Sequence, residues 1–278
     1  DLASEVADLE VEARATLALG RLYRDQGKTI LARASLESAR SAAVDGITSP
    51  SIDGLARWRR EVAVDALADL GIMALDEGAS EQSEQHLDDA RRLAGGEDGL
   101  AAQALVALAN RHIRSDDGPL ALQLLMEGRQ RAERAGDRIL LGRVENNIGI
   151  VHHLAGRYQE ALACFREALN IRQGLGYRMG SVVNLHNIGD AHFRMGDPSR
   201  AWAAFHQSRD LAEQMDWQPG VVMNDAFLAY LEANEDPEDG CDRLEVVVAT
   251  ADKMLLHDTR VSSRWLLGKL HVDQGKPD

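Results

Sequence analysis

The sequence predicts an all-α solenoid, a stack of antiparallel helix pairs rather than a globule built around one centre. Three observations carry this. One template of apolar and small residues recurs along almost the whole chain at a step near 40 residues. Each copy reads at helical spacing, and a cluster of turn-forming residues splits it into two halves. The composition agrees: of 278 residues, 45% are hydrophobic, 27% charged and only 4% aromatic. That is too apolar for a disordered chain, and it suits thin layers filled by alanine, leucine and valine.

The template is clearest where Asn147, Ile148, Gly149, His152, Gly156 and Ala161 align with Asn187, Ile188, Gly189, His192, Gly196 and Ala201. The two copies continue to Phe165 and Phe205, then to Ala168 and Ser208. Earlier copies read Leu19, Gly20, Tyr23, Gly27, Ala32, Leu36, Ala39 and then Leu70, Gly71, Ala74, Gly78, Ser83, Leu87, Ala90. Weaker ones pass through Leu108, Ala109, His112, Asp116, Ala121, Leu125, Gly128 and through Phe227, Leu228, Leu231, Glu235, Gly240, Leu244, Val247. A last copy begins with Leu267, Gly268, His271 and Gly275. The anchors at 20, 71, 109, 149, 189, 228 and 268 are separated by 51, 38, 40, 40, 39 and 40 residues.

In order along the chain, residues 1–8 read as the tail of a preceding helix, with Ala7 and Asp8 echoing Gly136 and Asp137. Repeats follow over 9–44, 52–95, 98–135, 138–175, 178–214 and 217–253, and 255–278 is a truncated last one. Within a repeat, Gly27 and Lys28, Glu77 and Gly78, Asp116 to Pro119, Gly156 and Arg157, and Gly196 to Pro198 separate a first helix A from a second helix B. A hairpin of this kind cannot bury its apolar face alone, so neighbours stack and residues 1–278 form one solenoid. The 51-residue step inserts a loop around 45–54, where Ser51 or Asp53 can cap the helix that runs through Trp58. The chain starts at Asp1 without methionine, and Lys276, Pro277 and Asp278 fall where a helix B should begin. It is expected to be a piece of something longer.

This pattern resembles the tetratricopeptide repeat, whose helix A carries a large residue, Leu-Gly and an aromatic, and whose helix B carries alanine, an aromatic and alanine. The step near 40 resembles the longer-repeat branch of kinesin light chains, the LGN/Pins polarity adaptors and the repeat regions of large bacterial regulators and kinases. The resemblance implies a right-handed superhelix of helix pairs whose A helices line a concave groove for a peptide or protein segment. It further implies the scaffolding or sensing region of a larger cytoplasmic bacterial signalling protein, with flanking domains of the same chain as further partners.

Other classes are disfavoured. A net charge of -14, from 31 basic and 45 acidic residues, suits neither nucleic acid nor an anionic membrane. The longest largely apolar stretch, Gly99–Ala109, is about half of the ~20 residues of a membrane span. Nothing reads as a secretory leader, and Cys164 and Cys241 make no disulfide framework, which fits a reducing cytosol. No phosphate loop, HExxH, CxxC or GxSxG occurs, so no catalytic activity and no cofactor is expected. His112, His152, His192 and His271 recur with the repeat in separate layers and read as packing residues rather than metal ligands. Cys164 reads as a small filler inside a helix.

Counting 100° per residue puts the helix A groove positions at Gln103, Asn110, Ile113 and Arg114 in the third repeat. The fourth contributes Arg143, Asn146, Asn147, Ile150, His153 and Leu154, and the fifth Val183, His186, Asn187, Asp190, Phe193 and Arg194. The partner-binding set expected from these positions is Asn110, Arg114, Arg143, Asn146, Asn147, His153, His186, Asn187, Asp190 and Arg194. Asn147 and Asn187, beside the Ile-Gly pair, resemble groove asparagines of related adaptors that hold peptide backbone. An amide suits that task because it both donates and accepts. Charge is banded: Arg14, Arg21 and Arg24 in repeat one, Asp65, Asp69 and Asp76 in repeat two, arginines beyond. Such banding would set the register of a charged partner. Two rival readings are a small-molecule sensor, with Asn146, His153, His186 and Phe193 as a polar pocket, and self-association through the ends or an exposed helix near Trp58.

Overall fold

The computed structural model describes residues 2–44, 57–233, 237–254 and 256–273, and among them it has thirteen helices and no strand. Backbone proximity divides the chain into two compact units, Asp1–Asn147 and Ile148–Asp278. The first holds α1 (Leu2–Asp25), α2 (Thr29–Val44), α3 (Arg57–Asp76), α4 (Ser80–Ala94), α5 (Asp98–Arg114), α6 (Gly118–Ala135) and the start of α7 (Arg138–Leu154). The second holds the end of α7, α8 (Tyr158–Gly174), α9 (Arg178–Arg194), α10 (Pro198–Glu213), α11 (Gln218–Glu232), α12 (Pro237–Lys253) and α13 (His257–Asp273). In each unit odd-numbered helices are A helices, even-numbered ones B helices, and neighbouring pairs stack.

The conserved spacing of the template has a packing cause. A side chain on Gly149 would place its Cβ 2.5 Å from the Phe165 ring, and one on Gly189 would lie 2.7 Å from the Phe205 ring. Gly20 against Leu36 (2.8 Å) and Gly71 against Leu87 (2.7 Å) repeat the arrangement in the first unit. Helix A therefore carries no side chain where the largest residue of helix B presses in, and those residues, Leu36, Leu87, Phe165 and Phe205, are all buried.

Turns follow the residues that can make them. The A-to-B turns enter the left-handed region at Gly27, Gly78, Asp116, Gly156 and Gly196, with φ between 59° and 77°. Asp116 bears a side chain there, which aspartate tolerates better than most residues. Helix starts are capped where an aspartate precedes them: Asp117, Asp137 and Asp197 accept from the N–H of Leu120, Leu140 and Arg200.

Two expectations need correction. Helix α1 runs unbroken from Leu2 to Asp25, so no helix boundary separates residues 2–8 from the first repeat. Trp58 is buried, 8% exposed, among Ala13, Leu17 and Val62, with the Arg59 guanidinium 4.9 Å over its ring. It is a core residue of the first unit, because burying so large a ring against the α1–α2 pair is worth more than presenting it. The expected loop at 45–54, the caps Ser51 and Asp53, and the chain end at 274–278 lie outside the described residues.

Candidate interaction surface

In the first unit the helix A face is dominated by ion pairs between neighbouring A helices. Arg21 reaches Asp69 (2.6 Å) and Asp65 (3.0 Å), Arg24 reaches Asp69 (2.5 Å), and Arg14 reaches Glu61 (2.7 Å). Arg114 on α5 pairs with Asp76 on α3 at 2.7 Å. The banded charges thus neutralise one another, one helix pair apart, instead of standing free for a partner. Burial pushes the Asp65 carboxyl above its ordinary value, with Arg21 opposing that rise first and Arg143 more weakly. Arg143 itself is exposed and has no ion pair among the described residues.

The asparagines of this unit form a chain. Asn146 Nδ2 donates to Asn147 Oδ1 at 3.2 Å, and Asn147 Nδ2 donates to Asn110 Oδ1 at 2.6 Å. Asn147 and Asn110 are half-buried, whereas Asn146 is only 6% exposed and belongs to the layer beneath.

The second unit gathers a different set. His153 Nε2 lies 3.1 Å from Asp190 Oδ2, and Arg194 Nε donates to Asp190 Oδ1 at 3.2 Å. Burial alone would raise the Asp190 carboxyl, but the hydrogen bond from His153 and the charges of His153 and Arg194 outweigh it and hold it below its ordinary value. His186 faces inward: Nδ1 meets Asn224 Oδ1 at 3.1 Å, and its ring sits 5.3 Å from both Phe205 and Phe227. Burial there pushes its pKa down. Asn187 is half-buried beside this row. Of the expected site residues, the fold brings together Asn110, Asn146 and Asn147 in one unit and His153, Asp190 and Arg194 in the other.

Beyond Arg194 the same face opens into a concavity of about 420 Å³ between α9, α11 and α13. Its walls are Phe193, Tyr230 and Trp265, with Arg194 and Lys269 at the rim. Trp265 is 43% exposed, so the hollow communicates with solvent. Sequence reasoning missed Tyr230, Trp265 and Lys269. A signal existed for two of them: relative to the anchor glycine, Trp265 and Lys269 stand at the offsets of His186 and Asp190, one template copy having been skipped. Tyr230 lies in the most degenerate copy and has no such counterpart.

His192 is buried and His152 half-buried, where Nδ1 accepts from Arg157 Nε at 3.1 Å. Among the described residues no group of three histidine, cysteine, aspartate or glutamate side chains converges as a metal set. Nor is any described helix long and apolar enough to cross a membrane.

Comparison with known proteins agrees with this architecture. Residues 140–214, covering α7 to α10, match the tetratricopeptide repeat family profile. No curated protein matches the chain. Among solved structures, aspartyl phosphate phosphatase F from Bacillus subtilis superposes with a TM-score of 0.72 at 12% identity, over 95% of this chain and 66% of that one. A STAND signal-transduction ATPase with a tetratricopeptide repeat sensor, from Pyrococcus horikoshii, gives 0.68 at 12% identity, over 94% of this chain and 38% of that one. A Rap protein complexed with competence and sporulation factor gives 0.65 at 15% identity, over 95% of this chain and 75% of that one. The chain therefore spans less than two thirds of the first two, and identities this low speak to fold alone. The two helix pairs α7 to α10 thus match the tetratricopeptide repeat profile, inside a chain whose other helices pair in the same way as an all-α repeat solenoid.

Proposed function

We propose that this chain is an interaction module that holds an extended peptide or protein segment on the helix A face of its second unit. The observation that carries the reading is the row of half-buried His153, Asn187 and Asp190 with exposed Arg194, on α7 and α9, continuing into an aromatic hollow. Asn187 and Arg194 would meet main chain and carboxylate, and the hollow would take an anchoring side chain. The first unit offers Asn110, Asn147, Arg114 and Arg143 on its own A face, but with Arg114 already paired it has less charge to spare. Asn146 and His186 would act from behind, orienting Asn147 and packing the α9–α11 layer. A Rap protein of similar fold is complexed with a factor, and a STAND protein carries such repeats as a sensor, which supports the reading. By the same analogy the chain would be the sensing or scaffolding part of a longer cytoplasmic bacterial signalling protein.

The test is selection of a phage-displayed random peptide library on the chain, with counter-selection on the charge swap Asp190→Arg with Arg194→Asp. The swap keeps an Asp–Arg pair with inverted polarity but takes the carboxylate from His153, so its folding is verified by urea unfolding before recognition is compared. Enriched peptides should bind the swap about tenfold or more weakly. Peptides that bind both forms alike, or that protect amides of α8, α10 and α12 instead of α9 and α11, would remove this face from the account.

A further inference from the structure

The hollow at the end of this face has a chemistry of its own. The Tyr230 and Trp265 ring centroids lie 5.4 and 6.4 Å from that of Phe193, each at 85° to it. Three rings so placed present both edges and faces, the arrangement in which a further aromatic ring packs best. Of the two cations at the rim, Lys269 is engaged: its Nζ lies 3.0 Å from Asp273 Oδ2, which also accepts from the Tyr230 hydroxyl at 2.7 Å. Arg194 is held differently. Its Nε is fixed by Asp190 and its guanidinium carbon sits 4.5 Å over the Trp265 ring. Both Nη groups are left without an acid partner among the described residues.

We infer that this hollow is a binding site for a compact aromatic carboxylate, its ring between Phe193, Tyr230 and Trp265 and its carboxylate on the Nη edge of Arg194. The volume of about 420 Å³ lies in the range of small-ligand sites, which are largely apolar with a few placed polar groups. A guanidinium already oriented by a carboxylate and a ring loses little freedom on taking a second carboxylate. Asp190 and Asp273 flank the rim, so one negative charge close to the ring is accepted and a run of acids is repelled. A free aromatic acid has this chemistry, and so does the carboxyl-terminal aromatic residue of a peptide. The site shares Arg194 and the hollow with the peptide-binding reading, but a free acid needs no contact with His153 or Asn187, and Asp190 serves it only by orienting Arg194.

The test uses the whole chain labelled with 5-fluorotryptophan, the Trp265 resonance in the ¹⁹F NMR spectrum being assigned by its absence in Trp265→Phe. The probes are 3-phenylpropionate, its neutral amide, butyrate, and a pentapeptide ending in phenylalanine with a free or amidated terminus. Phenylpropionate should shift the Trp265 resonance and saturate in the millimolar range. The amide and butyrate should bind about tenfold or more weakly, and Arg194→Gln should erase the preference for acid over amide. Tighter binding of the free-acid pentapeptide than of phenylpropionate identifies a peptide terminus as the source, and the reverse order a free acid. Equal binding of acid and amide to the unmodified chain, or no shift at Trp265, overturns the inference without reference to any variant.

Discussion

Gly149→Ala puts the origin of the repeat to a direct test. A methyl group at this position would sit 2.5 Å from two carbons of the Phe165 ring, against an ordinary carbon contact of about 3.5–4.0 Å. The ring would have to withdraw by about 1 Å, and it is buried among Ala161, Leu162, Ile188 and Ala191. Overpacking of this kind costs about 1–3 kcal/mol, while exchanging a mid-helix glycine for alanine returns about 1 kcal/mol. The net is a loss of about 0–2 kcal/mol. Gly268, also inside a helix, has nothing within 4 Å of its would-be Cβ, so Gly268→Ala should gain up to about 1 kcal/mol. The two variants should thus move urea midpoints in opposite directions at unchanged slope, and amide exchange in α8 should localise the first effect. In a Phe165→Ala background, itself costing about 3–5 kcal/mol, Gly149→Ala should become stabilising. Parallel shifts for Gly149→Ala and Gly268→Ala, with no coupling to Phe165, would refute the close-approach explanation of the template.

The ion ladder of the first unit predicts that Asp69→Asn costs about 1–2 kcal/mol in urea unfolding, since Arg21 and Arg24, each about a third exposed, lose the buried carboxylate they share. Asp137→Ala removes the acceptor of the Leu140 N–H and should lose about 1 kcal/mol in the same assay. His186 and His192 have pKa values lowered first of all by burial, so the unfolded chain takes up their protons more readily than the folded one. Stability is therefore complete above the ordinary histidine value of 6.5 and declines as pH falls below it. His192→Gln should flatten that decline in melts between pH 7 and 5. Asp190, whose pKa is depressed, adds a further loss only as pH falls below its ordinary 3.8, and Asp190→Asn should abolish that part.

Much of the fold was legible because repetition multiplies a weak signal. A single Leu-Gly pair says little, but the same pair recurring with its turn and its distant large residue leaves one physical arrangement, and the positive φ values fall at the turns expected. The site was less legible. Helical phase assigned Asn147, Asp190 and Arg194 to the groove positions of their own A helices, yet it could not say which neighbours they would meet. Thus His186, at a groove offset, turns inward to Asn224, and Trp58, on a helix expected to be exposed, is a core residue.

The amino-acid order alone determined the helix pairs, their turns and the glycine seams, because these depend on residues at most a repeat apart. Distances across repeats were decided only in three dimensions. The neutralisation of Arg21 and Arg24 by Asp69, more than 40 residues away, and the meeting of Phe193, Tyr230 and Trp265 around one hollow depend on how far each layer turns over the last. That rotation is set by the packing of whole helices against each other, and no local pattern of residues encodes it.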